Sequence, residues 1–451
     1  MVVGIVIGSG IFFKAQDILN YTGGNMLIGI LAWIIGGIVM VICAFNFANF
    51  ATKYVKINGI VDYAEAIVGK RYAYMVGWFV SSIYLPAMTS VLAWVSARYT
   101  VLLFNPAADI TSGLCMSLGV LYMCLMYAIN MLSPKIAGKL EVSATVIKLI
   151  PIAIIIVIGT ICGLVNGNTV EAFSSVGKIT DGDFSSVFAG IAAAAFAYEG
   201  WIVATSINSE LKNSKKDLPR ALVLGTIIVM ALYILFFVGL TGGATVDVLM
   251  KEGATTAIKN LFGNVGGTIL NAFIVISCLG TLNGLMIACS RSFYSLSVRN
   301  CGPKPKMFAS VDPETNMPGN AGVLAIFFCA IWYFYFYGAN LTDPIFGVFS
   351  FDSSELPIIT IYAIYIPIFI MFMIKEGRKN IFKNIVMPTL ATLASLFMVF
   401  VAVYAHGIRP YQNAAANGEF AFPVLFYLIV FIVIMTVGAF LYKRKKDDAN
   451  D

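Results

Sequence analysis

Two short interruptions of apolar sequence hold the residues best placed to do chemistry. The chain opens on MVVGIVIGSGIFFKAQ, where Gly8, Ser9 and Gly10 break a hydrophobic run after seven residues. A second stretch, FAYEGW at Phe196 to Trp201, sets Glu199 beside Gly200 inside another apolar run. Such breaks free backbone amides and carbonyls from helical pairing, and the chemistry they offer is recognition of charge. Where a helix resumes after Gly10, the amides of Ser9, Gly10 and Ile11 and the positive end of the helix dipole suit an anion such as a carboxylate. Where the second helix stops, carbonyls around Ala195, Phe196 and Tyr198 suit an ammonium. A ligand carrying both groups a few ångströms apart is an α-amino acid.

The elements that must hold these breaks are membrane spans. A hydrophobic fraction of 59%, a charged fraction of 12% and a mean hydropathy of +0.88 lie far from soluble averages. The 451 residues carry recurring apolar runs of roughly 20 or more, enough for about a dozen helical crossings. The alternating ten-residue segments of a β-barrel are absent from the sequence. The expected fold is an all-α membrane protein with twelve transmembrane helices. They fall near 1–20, 26–50, 72–104, 113–132, 140–165, 186–209, 218–242, 266–298, 321–338, 353–375, 381–405 and 421–442.

With the N-terminus inside, 22 of the 29 lysines and arginines fall in inner loops and the tail, against Lys178, Lys251, Lys259 and Arg409 outside. This asymmetry sets both termini in the cytoplasm. The net charge of +6 then reflects topology, and no nucleic-acid partner is implied. Seven of eight cysteines lie in predicted helices, without disulfide or metal spacing. The single histidine, His406, falls in a predicted outer loop, where neither a metal nor a triad role is expected. Only seven residues precede the first break, so a leader ahead of Met1 is expected.

In hydrocarbon, irregular backbone survives only where it lines a cavity or is buried in protein. Close packing through small residues is the plainer reading of Gly8 to Gly10 taken alone. The second break, about 190 residues on, alters the balance, because each break opens a block of five helices. An odd block leaves the next one starting on the opposite side, giving a 5+5 inverted repeat with discontinuous helices 1 and 6. Matching breaks in two halves point to a transporter's midplane site.

GSGIF and FAYEGW resemble the substrate-binding signatures of the amino acid, polyamine and organocation transporters. LGTLNGLMIACSRSFYSLSVRNCGPKP (Leu279 to Pro305) and SELKNSKKDLPRA (Ser209 to Ala221) are similar to stretches of the L-type amino acid transporter family, with Ser214 where a proline is usual. The resemblance runs through about residues 1–375. It implies a transport core over 1–375 and peripheral helices with a tail over 376–451. It also implies alternating access and sodium-independent exchange of small neutral L-amino acids such as alanine, serine and cysteine. Carried over, Ser9, Gly10 and Ile11 bind the carboxylate through amides, while Ile7, Phe196 and Ala197 take the ammonium through carbonyls. Tyr198 closes over the substrate as a gate, and Asn283 lines or supports the site. The loop FNPAADITSG lacks the cysteine by which animal members join a heavy chain, so no disulfide-linked partner is expected. The resemblance implies no cofactor.

Charged residues at depth need partners. Lys148 in EVSATVIKLIPIAIII is too deep to reach water easily and is expected to face the bundle interior. Its ammonium is expected against the unwound backbone near Gly8 and Ser9, doing what a sodium ion does in sodium-coupled relatives; simple satisfaction of buried carbonyls, or proton coupling, stays open. Glu199 either caps freed amides after the second break or faces the pocket and favours cationic substrates, capping being preferred. Arg98 is expected to reach the interface, Lys14 and Asp17 to line an outer vestibule, and Asp62 and Glu65 to meet basic residues at an inner gate. WYFYFY (Trp332 to Tyr337) reads as an interfacial belt, and KRKKDD (Lys443 to Asp448) as a topology anchor. A channel lacks its repeated filter here, two six-helix halves would offset the breaks by six, and GSGIFF follows no strand as a dinucleotide-binding enzyme would need.

Overall fold

A computed structural model describes residues 2–8, 10–54, 59–105, 107–174, 185–210, 213–341 and 345–442, and among them every regular element is helical. Ser9 and the basic run from Lys443 lie outside the described residues. The first segment comes apart at its small residues: α1 (Val2–Val6) ends, and α2 (Gly10–Tyr21) resumes at Gly10. Gly23 and Gly24, both at positive φ, turn the chain into α3 (Met26–Lys53), capped by Asn25 accepting the Ile28 amide at 3.1 Å. A short α4 (Ile60–Ile67) precedes the long α5 (Lys70–Phe104), α6 (Gly113–Leu132) and α7 (Pro134–Val165). Beyond α8 (Asn168–Ser174), α9 (Ser185–Tyr198) stops at Glu199 and Gly200 and continues as a 3-10 segment, Trp201–Glu210. Gly200 takes φ +98°, a backbone region that residues with a Cβ rarely enter.

The remaining elements are α10 (Ser214–Leu240), α11 (Val246–Glu252), α12 (Ala254–Ser297), α13 (Pro305–Phe308), α14 (Gly319–Leu341), α15 (Leu356–Glu376), α16 (Phe382–Ala416) and α17 (Pro423–Leu441). Among the described residues, eleven helices are long and apolar enough to cross a membrane; neither half of the broken first segment adds to them. The apolar windows of α5 and of 186–205 are 89% buried and that of α17 only 17%, so α5 and the second broken segment sit centrally while α17 skirts the bundle. Leu121, Val157, Leu393 and Phe440 project outward with most of their surface exposed, as a lipid-facing belt does.

Two boundaries differ from the sequence expectation, each for a local reason. Residues 254–265 are helical too, with a kink at Gly263 (φ +68°) joining them to the predicted span. The span expected to end at 405 runs on to Ala416 through a π-helical turn, Tyr404–Ile408. His406 is therefore inside a helix and not in a loop. WYFYFY also departs from a simple interfacial belt: Trp332 is buried and donates to the Ser82 carbonyl at 2.9 Å, while Phe334 faces outward.

Candidate functional site

The two breaks meet. A Cβ placed on Gly10 would lie 2.7 Å from Ala197 Cα and 3.2 Å from its Cβ, so the start of α2 rests directly on the end of α9. Ile7 and Ile11 are fully buried on either side of the first break. The amides of Gly10 and Ile11 open α2 and have no carbonyl one turn back within that helix.

Tyr233 on α10 joins the broken ends. Its hydroxyl lies 2.8 Å from the Val6 carbonyl and 3.1 Å from the Ala197 carbonyl, and the Gly8 amide is turned toward it. One side chain thus ties the C-terminal end of α1 to that of α9. The Phe196 carbonyl accepts the Glu199 amide at 3.2 Å. Of the carbonyls expected for an ammonium, that of Phe196 therefore holds one donor and that of Ala197 shares the single Tyr233 hydroxyl proton with Val6, each keeping a lone pair for a ligand. Tyr233 was missed in the sequence, where an aromatic hydroxyl in MALYILFF looks like packing. Its only trace is the requirement that buried carbonyls find donors. Replacing Tyr233 with Phe is expected to weaken substrate affinity by about tenfold or more, from a lost bond worth about 1.5 kcal/mol or above at the junction. Substrate-induced thermal shift against the wild type measures this, and an equal shift in the variant defeats it.

Lys148 is buried, and its ammonium donates to the Gly4 carbonyl, with Thr281 Oγ1 at 3.5 Å. The contact falls about one turn earlier than Gly8, on the exposed carbonyl end of α1, where a cation complements the dipole. Thr281 in turn fills the place of a Gly8 side chain, since a Cβ there would lie 2.9 Å from its Oγ1. Asn283 does not reach the breaks. It accepts from Asn130 Nδ2 at 3.1 Å and donates to the Ala137 carbonyl at 3.1 Å, pinning α12 to α6 and α7. It supports the frame that carries Lys148.

Glu199 is buried at the second break, and its Oε1 accepts the Tyr84 hydroxyl of α5 at 2.6 Å. Gly200 turns its amide toward the same carboxylate. Its Oε2 has no partner among the described residues. Tyr198 departs from its expected gate position: its ring stacks on Tyr233 at 5.1 Å and its hydroxyl donates to the Trp33 carbonyl at 3.0 Å. The ring set against α2 is Phe196, edge-on to Phe13 at 6.4 Å.

Lys14 is no vestibule residue. It is 2% exposed, its Nζ 2.7 Å from Glu355 Oε1 and 5.3 Å from the centre of the Phe196 ring. Arg98 turns inward as well, over Phe13 and Trp94 at 5.5 Å each, and donates to Gln16 at 3.3 Å. Asp352, Glu355 and His406 bring ligand atoms within 4.8 Å of one another, yet both Glu355 oxygens are already engaged, by Lys14 and by His406. The cluster reads as an ion-pair network. On the opposite side, Arg299 pairs with Asp62 and lies 3.5 Å from Glu65, bringing α4 and the end of α12 together.

The profile of the amino acid permease family matches residues 1–435. The chain belongs to this family. It is similar to the serine/threonine exchanger SteT of Bacillus subtilis (strain 168), 31% identical over 411 residues, covering 88% of each chain. It is also similar to the human b(0,+)-type amino acid transporter 1, 26% identical over 413 residues, covering 89% of this chain and 80% of the relative. The human cystine/glutamate transporter is 26% identical over 320 residues, covering 70% of this chain and 63% of the relative. These relatives place this permease among the L-type members of the superfamily. It is an amino acid transporter and not an enzyme.

Proposed function

We propose that this permease is a sodium-independent exchanger of small neutral L-amino acids, working by alternating access in a cell membrane. Twelve spans, a 5+5 inverted repeat over residues 1–375 and two peripheral helices beyond complete the reading. Lysine and arginine asymmetry supports cytoplasmic termini. The observation that carries it is the contact of Gly10 with Ala197, which sets a helix start beside a helix end within one ligand's length. Ser9, Gly10 and Ile11 amides hold the carboxylate; Ile7, Phe196 and Ala197 carbonyls hold the ammonium. Lys148 occupies the carbonyl end of α1 as a fixed cation, which removes the need for sodium there. Glu199, its Oε1 engaged by Tyr84, shapes the second break, and this capping role leaves the substrate's side chain to apolar surroundings, which favours neutral substrates. The name of SteT supports small hydroxylated side chains among them. The chain acts without a disulfide-linked heavy chain, since its loop at 104–113 carries no cysteine.

Purified protein in sodium-free vesicles is expected to take up radiolabelled L-serine only when unlabelled amino acid is loaded inside. Competition by all twenty amino acids then gives the side-chain preference. Uptake without internal amino acid, driven by a proton gradient, would replace exchange with proton coupling, and non-saturable flux would indicate a channel.

A further inference from the structure

The contacts of the cation at the end of α1 do not by themselves keep it charged. Lys148 is 1% exposed, and the atoms within reach of its ammonium, the Gly4 carbonyl and Thr281 Oγ1, are neutral. A buried ammonium with no opposite charge is costly and gives up its proton more readily than one in water. Sequence spacing supplies the missing charge. Glu141 stands seven positions before Lys148 on α7, about two turns of helix, so the two share a face. That face packs on α12 in antiparallel register. A Cβ on Gly284 would lie 3.0 Å from Glu141 Oε2, one on Gly280 would lie 2.2 Å from the Ala144 Cβ, and Thr281 meets Lys148. Along the seam, the carboxylate and the ammonium are thus separated by Ala144 and Gly280, small residues through which the helices touch. Gly284 leaves the notch in which the carboxylate lies. Asn283 turns its amide toward that carboxylate, while Oε2 has no hydrogen-bond partner among the described residues. Helices this close make the two charges act on each other through protein, where their attraction is several-fold stronger than across water.

We propose that Glu141 is a positioning residue for transport: it is the counter-charge that keeps Lys148 in its ammonium form and so keeps α1 tied at Gly4. The proposal rests on the transport reading, in which Lys148 stands as a fixed cation. Among the described residues, the ionisable groups that bear on this ammonium are Glu141 from its own helix and Cys278 from α12, and α1 (Val2–Val6) contributes none. A thiol is uncharged at neutral pH, which leaves the charge to Glu141. An opposite charge nearby favours the ionised form. Without it the ammonium loses its proton at a lower pH, and the tie on α1, present at low pH, is lost earlier as pH rises.

The test uses the full chain in vesicles exchanging L-serine, with Glu141→Gln, which keeps the shape of the side chain and removes its charge. The ratio of variant to wild-type exchange rate is expected to fall about threefold or more from about pH 6 to about pH 8, because losing an opposite charge moves a titration by about one pH unit. A merely structural role lowers the rate by one factor at every pH, and a constant ratio overturns the proposal. The charge itself is read by acetylation with acetic anhydride, a reagent small and apolar enough to enter the bilayer. The free amine attacks the anhydride carbonyl, acetate leaves and the amine's proton passes to solvent; the ammonium has no electron pair with which to attack. Peptide mass spectrometry is expected to show acetylation of Lys148 rising at a pH about one unit lower in Glu141→Gln than in the wild type. A coincident rise overturns the proposal. A wild type that exchanges no amino acid counts against the transport reading instead, and the acetylation profiles then decide alone. Glu141→Met, apolar and of similar length, replaces Glu141→Gln if the latter does not fold and is held to the same outcomes.

Discussion

Replacing Lys148 with alanine is expected to reduce serine exchange by about tenfold to a hundredfold while the protein still reaches the membrane and elutes as a single species. The Lys148 ammonium meets the Gly4 carbonyl at the end of α1, with Thr281 beside it. Removing the cation strands a buried carbonyl and withdraws a hydrogen bond to a charged group, worth about 1.5–3 kcal/mol. At 1.4 kcal/mol per tenfold, that moves the population of the competent conformer by about one to two orders of magnitude. Lys148→Met, which keeps most of the bulk, is expected to fail equally, since charge and not volume holds α1. Initial rates of exchange per molecule of protein in the vesicles decide it, and wild-type rates in either variant reject the role.

The position of that contact shows what the sequence could reveal. A lysine seven residues beyond Glu141 in an apolar run needs an interior partner, and the broken backbone of the first span was the nearest unsatisfied one. Which carbonyl it takes depends on how α7 crosses α1, and a shift of one turn, from Gly8 to Gly4, lies beyond what a linear pattern encodes. The two breaks themselves were legible because hydrocarbon tolerates no idle backbone, so three small residues in a span need a cause. Their mutual contact was inferable only as a requirement of a shared ligand.

Other features were hidden because their partners are remote in the chain. Tyr233 reaches Val6 across 227 positions, and Lys14 reaches Glu355 across 341. Neither residue bears any local mark of its partner. Lys14 reads in the sequence as a vestibule residue because a lysine near a span's end ordinarily reaches water, which holds until a buried carboxylate offers a better neighbour. His406 reads in the sequence as a loop residue because a polar residue closes a hydropathy run, whereas the π turn carries the helix through it. Tyr198 and Phe196 are two positions apart on α9 and therefore face different neighbours, and the sequence alone does not fix which ring turns toward α2.

Changing Gly10 to alanine puts local preference and packing in direct opposition. Alanine is favoured over glycine within a helix by about 1 kcal/mol, so by propensity α2 should gain. The added methyl, however, would lie 2.7 Å from Ala197 Cα, a backbone atom of α9 that no rotamer change can move. The start of α2 must then separate from α9, and with it the amides of Gly10 and Ile11 leave their register with the Ala197 carbonyl. A displacement of about 1 Å in such a site costs about a hundredfold in rate. The expected result is a folded, membrane-inserted protein whose exchange falls by about that factor, with a much weaker thermal shift on adding serine. Gly138→Ala is the matched control, because a Cβ at Gly138 in α7 meets nothing within 4 Å and should leave exchange unchanged. Wild-type exchange in Gly10→Ala would mean that the junction of the two breaks is not where the amino acid binds, and the zwitterion assignment would fall with it.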